Sequence, residues 1–192
     1  MTSEQDELTA AVESGARDVE QVVEQEAEQV AEHDALRDSA RFRVGVFAVI
    51  EMPEDDLDDG GETRYLMARR SDIGWWNLVG GGLEYDETPE EGLAREAREE
   101  IGAEIEIVRL VGVYAKPPKR EVVLTYLCRL AAGSPEPGPS EEVSEVGVFT
   151  VAELPEDTLP KHRQRVLDAA SGQVEAFRRT QATSSAEDQR RR

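Results

Sequence analysis

Residues 80–103, GGGLEYDETPEEGLAREAREEIGA, constrain the fold of this chain more than any other stretch. Three glycines lead into a helix whose two ends are written in the sequence. Thr88 supplies a cap, Pro89 suits the first helical position, and Glu91 completes a capping box. Gly102 supplies the stop. At about 100° per residue, Leu93, Ala94, Ala97 and Ile101 fall on one apolar arc. An arc of that kind has to be covered, and the flanking segments offer a sheet to cover it.

Those segments alternate and are rich in valine, as half-buried strands are. RFRVGVFAVIEM (41–52) and ETRYLMARR (62–70) read as two strands joined by the polar turn PEDDLDDGG. The acid run in that turn lacks the alternating ligand spacing of an EF-hand loop, and it reads as a solvated hairpin tip. WWNLVGG is short and extended, EIEIVRLVGVYA and EVVLTYLCRL are two more strands, and VGVFTV is a last one. GSPEPGPSEE is a loop by its Pro, Gly and Ser content, and Pro160 to Ser171 reads as a C-terminal helix. The expectation is a mixed sheet with helices packed on it, α/β or α+β, in one domain over residues 41–171.

The two ends differ from this middle. Residues 1–40 are acidic and rich in helix formers, with Val12, Val19, Val23 and Val30 in a thin seam interrupted by Glu26. Two readings follow: a docking or homodimerising helix, and a solvated, partly helical extension, which the thin seam favours. Residues 172–192 have little to bury and read as a disordered tail.

The chain has 192 residues, a formal charge of −20 and a pI near 4.5. That charge argues against non-specific binding to nucleic acid or to an anionic membrane. Its basic residues are almost all arginine; lysine occurs only at 116, 119 and 161. Acid-rich, lysine-poor composition of this kind resembles proteins of salt-loving cytoplasms. Cys128 stands alone in an apolar run, which excludes an internal disulfide and reads as a buried structural thiol. With no apolar run near 18 residues and no basic, apolar leader, the chain reads as cytoplasmic.

On the helix itself, Glu96, Glu99 and Glu100 form a second arc beside the apolar one. Like charges at i, i+3 and i+4 destabilise a helix by some tenths of a kcal/mol per pair. Spacing alone leaves two readings open, an ordinary acidic surface and a divalent cation site. The glycines add weight to the second. Gly80, Gly81 and Gly82 precede a helix N-terminus, where backbone approaches a phosphate closely. Glycine loop, capped helix and carboxylate triad together describe a site for Mg²⁺ and a phosphorylated ligand.

At this point the residues resemble a known family. Gly81, five residues, Glu87, seven residues, then Arg95-Glu96-Ala97-Arg98-Glu99-Glu100-Ile101-Gly102-Ala103 is similar to the Nudix box, with every fixed position filled. Alanine stands at both aliphatic positions, Ala97 and Ala103. The flanks WNLVGGGLE and VFTVAELP resemble the family's approach strand and closing turn, with Val79 where proline is commoner. The resemblance covers roughly residues 41–171. It implies an α/β/α sandwich around a mixed sheet, and Mg²⁺- or Mn²⁺-dependent hydrolysis of a nucleoside diphosphate linked to another moiety. Carried over by position, Glu96, Glu99 and Glu100 would be metal ligands, Arg95 would hold the glutamates, and Glu87 would brace the loop. The base varies in the family; Glu99 and Glu142 are both candidates here, and Glu142 also reads as a plain solvated acid. Trp75 or Trp76 would stack on a base and at least one of them would pack in the core, with Trp76 the one assigned to substrate. Pro117 lies about where ADP-ribose hydrolases of the family carry a proline, so an ADP-ribose-like compound and a nucleoside triphosphate are the two substrate types expected. The alternative from another class is a binding module that keeps the fold, senses a nucleotide without cleaving it, and recruits a partner through its acidic extension.

Overall fold

The structure is a computed structural model that describes residues 41–52 and 61–181. The expected N-terminal extension, the tip of the acid turn at 53–60 and residues 182–192 lie outside the described residues. Strands β1 (Arg43–Glu51), β2 (Arg64–Arg70), β3 (Trp76–Asn77), β4 (Ile105–Lys116), β5 (Glu121–Leu130), β6 (Val143–Thr150) and β7 (Phe177–Thr180) form one mixed sheet. Helices α1 (Pro89–Ile101) and α2 (Pro160–Ala170) complete the fold. None of the described helices is long and apolar enough to cross a membrane.

β1 lies in the middle, parallel to β5 from Arg43 opposite Glu121 to Glu51 opposite Arg129. β5 pairs antiparallel with β4, whose other edge takes β7 in parallel. On the opposite side β1 meets β2 at Ile50–Leu66 and Glu51–Tyr65, and there the two strands part. The far half of β2 pairs instead with β3, while its second edge is filled by β6. Residues 76–82 therefore run inside a wedge between β1 and β2. Isolated bridges join Val79 to Ala48 and Gly82 to Gly45. The Ala48 amide donates to the Val79 carbonyl at 2.9 Å, and the Val46 amide to that of Gly81 at 2.8 Å.

The alternation of β1 sends its side chains to two cores. Val46, Ala48 and Ile50 meet Leu93, Ala97 and Ile101 of α1 on one face. Val49, with Phe47 at its margin, meets Val166 and Ala169 of α2 on the other. Helix layers on both faces make this the expected α/β/α sandwich. Leu93 and Ile101 are fully buried, which stabilises the α1 contact by roughly 1.5–3 kcal/mol each. That outweighs the repulsion among the helix's carboxylates by several-fold. Both capping-box bonds form: the Glu91 amide donates to Thr88 Oγ1 at 3.2 Å, and the Thr88 amide to Glu91 Oε2 at 2.9 Å. Cys128 is buried in the α1 core, where burial pushes its thiol up to about 12.

One expectation is corrected. Residues 172–192 read as a disordered tail, but Phe177–Thr180 is a sheet strand and Gln181 is buried. Its anchors are polar and distant in sequence. Arg179 donates to both carboxylate oxygens of the buried Asp168, at 2.7 and 2.6 Å, and Tyr114 Oη donates to Asp168 at 2.9 Å. Gln181 Oε1 accepts from Arg165 Nη2 at 2.9 Å. Two arginines in FRRT look like tail composition until an α2 carboxylate receives one of them.

Candidate active site

The wedge places the three glycines beside one face of α1. Gly80 has φ 131°, and a Cβ there would stand 2.7 Å from Phe47 Cα, so the turn requires glycine. A Cβ on Gly81 would meet Glu96 Oε1 at 2.6 Å; its absence is what lets the helix carboxylate lie against the loop. The Gly80 amide donates to Glu100 Oε2 at 2.9 Å. Loop and helix are thus joined by backbone and carboxylate, with no bulk between them.

Arg95 is the hub of this junction. Its Nε and Nη2 donate to the two oxygens of Glu87 at 2.7 and 3.1 Å. Nη1 donates to Glu96 Oε1 at 3.0 Å and to Glu99 Oε2 at 2.9 Å, while Nη2 also reaches the Gly82 carbonyl at 3.1 Å. Glu87 accepts in addition from the Glu84 amide at 3.0 Å. The Arg95 guanidinium holds the Glu87 carboxyl below the usual range, and these contacts raise the pKa of Arg95. A planar fork suits this task, since one side chain orients three carboxylates at once.

Two carboxylates go the other way. Burial, with the charges of Glu96 and Glu142 added, pushes Glu100 up to about 7 despite the Gly80 bond. Burial also raises Glu96, against the pull of Arg95 and helped by the nearby charges of Glu99 and Glu142. Both shifts have one leading cause, burial of a carboxylate away from water, to which neighbouring acid charge adds.

Gly80, Gly81, Gly82, Arg95, Glu96, Glu99, Glu100 and Glu142 all line one cavity of about 810 Å³. Glu100 is buried, at 8% exposure, while Glu99 and Glu142 are exposed. Trp76, expected to bind substrate, is corrected: it is buried in the α2 core, edge-on to Phe149 at 5.1 Å between ring centres, and does not line the cavity. Its β3 backbone pairs with Arg69, which turns the ring toward α2. Arg70, Asp72 and Ser140 also line the cavity and were not anticipated. Arg70 ends β2 in a two-pronged pair with Asp72 at 2.9 and 2.7 Å, and the Ser71 amide donates to the Glu142 carbonyl at 2.8 Å. Their only signal in the sequence was a strand end facing a loop.

As the side chains stand, no three acidic, histidine or cysteine groups converge on a metal position among the described residues. The donor chemistry nevertheless fits a hard divalent cation. All the candidate ligands are carboxylate oxygens, and the raised Glu96 and Glu100 are the groups a cation would stabilise in ionised form.

The family model of the NUDIX domain matches residues 41–170. A "MutT-like protein" of Streptomyces ambofaciens is 40% identical over 109 residues, 57% of this chain and 70% of that protein. Among solved structures, a NUDIX hydrolase from Nitrosomonas europaea superposes with a TM-score of 0.62 at 24% identity, covering 74% of this chain and 80% of that one. An ADP-ribose pyrophosphatase from Streptococcus suis does so with a TM-score of 0.55 at 26% identity, covering 72% of this chain and 98% of that one.

Proposed function

The chain belongs to the NUDIX family, and from that premise we propose that it is a Mg²⁺- or Mn²⁺-dependent hydrolase acting in the cytoplasm. Its substrate is a nucleoside diphosphate linked to another moiety, either ADP-ribose-like or a nucleoside triphosphate. The observation that carries this reading is the 810 Å³ cavity that gathers the glycine loop, the Arg95 fork and the raised carboxylates of Glu96 and Glu100.

In this reading Glu96, Glu99 and Glu100 hold the cation. Once bound, it supplies Lewis-acid neutralisation of the diphosphate and acidifies the attacking water. The chain's own groups do the rest. Arg95 fixes the directions of Glu96 and Glu99, and Glu87 fixes Arg95. The loop at Gly81–Gly82 lets the diphosphate approach backbone closely. Glu99 and Glu142 line the cavity with exposed side chains, which supports each as a candidate to take the proton of the attacking water.

Incubation with ADP-ribose and with a set of nucleoside triphosphates, with and without Mg²⁺, tests the reading. Glu96→Gln and Glu100→Gln should each lower turnover by at least roughly a hundredfold, because each removes a charged ligand, while the fold persists. Near-normal turnover in either variant at saturating Mg²⁺ sinks the role given to that residue. Loss of the acidic-limb pH dependence in Glu99→Gln or in Glu142→Gln identifies the base. Tight nucleotide and Mg²⁺ binding without any turnover would transfer the chain to the non-catalytic, nucleotide-sensing reading.

A further inference from the structure

A second cavity of about 460 Å³ adjoins the first and shares Arg70, Asp72 and Gly82 with it. Its character is opposite. Lys116, Lys119 and Lys161 are all the lysines in the sequence, and all three line it, together with Arg43. They arrive from the end of β4, from the turn that follows it and from the first turn of α2. In a chain of net charge −20, acid partners are abundant, yet few are placed here. Lys116 Nζ pairs with Glu121 at 2.7 Å, and among the described residues Lys119 and Lys161 have no salt bridge.

The cluster is held against its own repulsion. Burial and the charges of Lys116 and Lys119 push Lys161 down to about 8, and Lys116 is lowered as well. Beneath them lies the fully buried Arg165, packed between the rings of Phe47 and Tyr114 at 4.9 and 5.2 Å. His162 adds no charge of its own: its Nδ1 accepts from the Leu78 amide at 3.0 Å, and burial keeps the ring neutral.

The helix end facing the cavity adds a second, separate observation. α1 has a Thr88 cap and two acids in its first turn. α2 has no side-chain cap and no acid in its first turn, and it carries Lys161 there instead. A lysine at a helix N-terminus opposes the helix dipole. Of the amides at this end, Leu159 donates to the Trp76 carbonyl at 2.9 Å and His162 to the Leu159 carbonyl at 2.9 Å, while Pro160 has none to give. The acid-free first turn of α2 thus leaves Lys161 unneutralised beside the other two lysines, in a void whose lining includes Leu159, Lys161 and His162 of that end.

We propose that this cavity is an anion subsite, formed by Lys116, Lys119 and Lys161 with Arg43 beside them, that binds a phosphoryl group of the substrate beyond the pair whose anhydride is cleaved. The inference deepens the hydrolase reading and rests on it. The diphosphate would lie in the acidic cavity, and a third phosphate would enter the basic one, which shares Gly82 with it. The favoured substrates therefore carry at least three phosphoryl groups. The third belongs either to a linear polyphosphate, as in a nucleoside triphosphate, or to a phosphate monoester on the remote sugar.

The test uses the full chain, the pair Lys119→Gln/Lys161→Gln and the pair Lys119→Arg/Lys161→Arg. kcat/KM is measured on ADP-ribose, ADP-ribose 2′-phosphate and ATP with Mg²⁺. The wild type should prefer one of the three-phosphate compounds, and the Gln pair should shrink that preference by roughly tenfold through KM, the scale of one or two charge-assisted bonds. The Arg pair should retain it. Preference for ATP identifies a polyphosphate, and preference for the 2′-phosphate a monoester. No preference in the wild type, or the same preference in the Gln pair, overturns the subsite. Calorimetric titration with tripolyphosphate in EDTA does not depend on turnover. There the wild type should bind and the Gln pair should bind roughly tenfold more weakly. If nothing is hydrolysed, the hydrolase reading fails, and this titration still decides: no binding, or equal binding by the Gln pair, removes the subsite.

Discussion

The Gly80 amide and the Glu100 carboxylate meet at 2.9 Å beside the acidic cavity, and the bond does not cancel the upward push that burial gives the carboxyl. The folded-state pKa of Glu100, about 7, stands above its ordinary value of 4.5. The protonated form is therefore the one that favours the fold. This contribution is complete below about pH 4.5 and is lost as pH rises through about 7, a change of about 3 kcal/mol for a shift of this size. In EDTA, urea unfolding should show Glu100→Gln gaining stability over the wild type at pH 8 and little or none at pH 4.5. An identical difference at both pH values would refute the assignment of the strain to this carboxylate. The same shift requires that Mg²⁺ binding near pH 6 release a proton, which calorimetry in buffers of different ionisation enthalpy reads directly.

Arg95→Lys tests the fork. An ammonium reaches one or two of the oxygens that Arg95 now holds, and it cannot bind Glu87 with two parallel bonds. Mg²⁺ affinity should fall by roughly 10–100-fold, the range for losing an outer partner of a ligand, with little change in Tm. Unchanged affinity would mean that the glutamates orient themselves.

Salt and magnesium should separate two kinds of charge repulsion. Screening acts over about 10 Å at 0.1 M and about 3 Å at 1 M, so KCl should raise Tm through the whole surface of a −20 chain. Mg²⁺ added at 1 M KCl should raise Tm again by mass action at a defined site. Glu96→Gln combined with Glu100→Gln should keep the first response and lose the second. An intact second response would assign the ion to the diffuse acidic surface.

Removing residues 1–38 should leave a folded, active domain, because all the described strands and core residues lie beyond them. Circular dichroism and turnover on ADP-ribose decide it. Loss of activity with the fold retained would show that the acidic extension shapes the site or a dimer.

How much of this was legible depended on how local each signal is. α1 was fully readable, since Thr88, Glu91 and Gly102 act within one helix and the apolar arc follows from spacing. The strands were readable by alternation, although β6 begins at Val143, earlier than its apolar run suggests. The Trp75–Trp76 doublet carried no local sign of which ring turns inward; the β2–β3 register decides that. Arg70 and Asp72 reach the cavity only because β2 ends beside the Ser140–Glu142 loop. The lysines were noticed in the sequence for their scarcity, and nothing in spacings of three and 42 residues announces that they meet.

β7 bears on where this domain can be cut. A chain shortened after residue 171 would keep every element that the sequence pattern announces and would lose the strand covering one side of β4. Gly112 to Ala115 would then show bare amides and carbonyls along a row of apolar side chains, an open template for a second molecule. Asp168 and Arg165 would keep their places inside α2 with Arg179 and Gln181 gone. A trimmed protein that precipitates would therefore be reporting an unsealed sheet margin and two stranded charges, with its catalytic residues all still present.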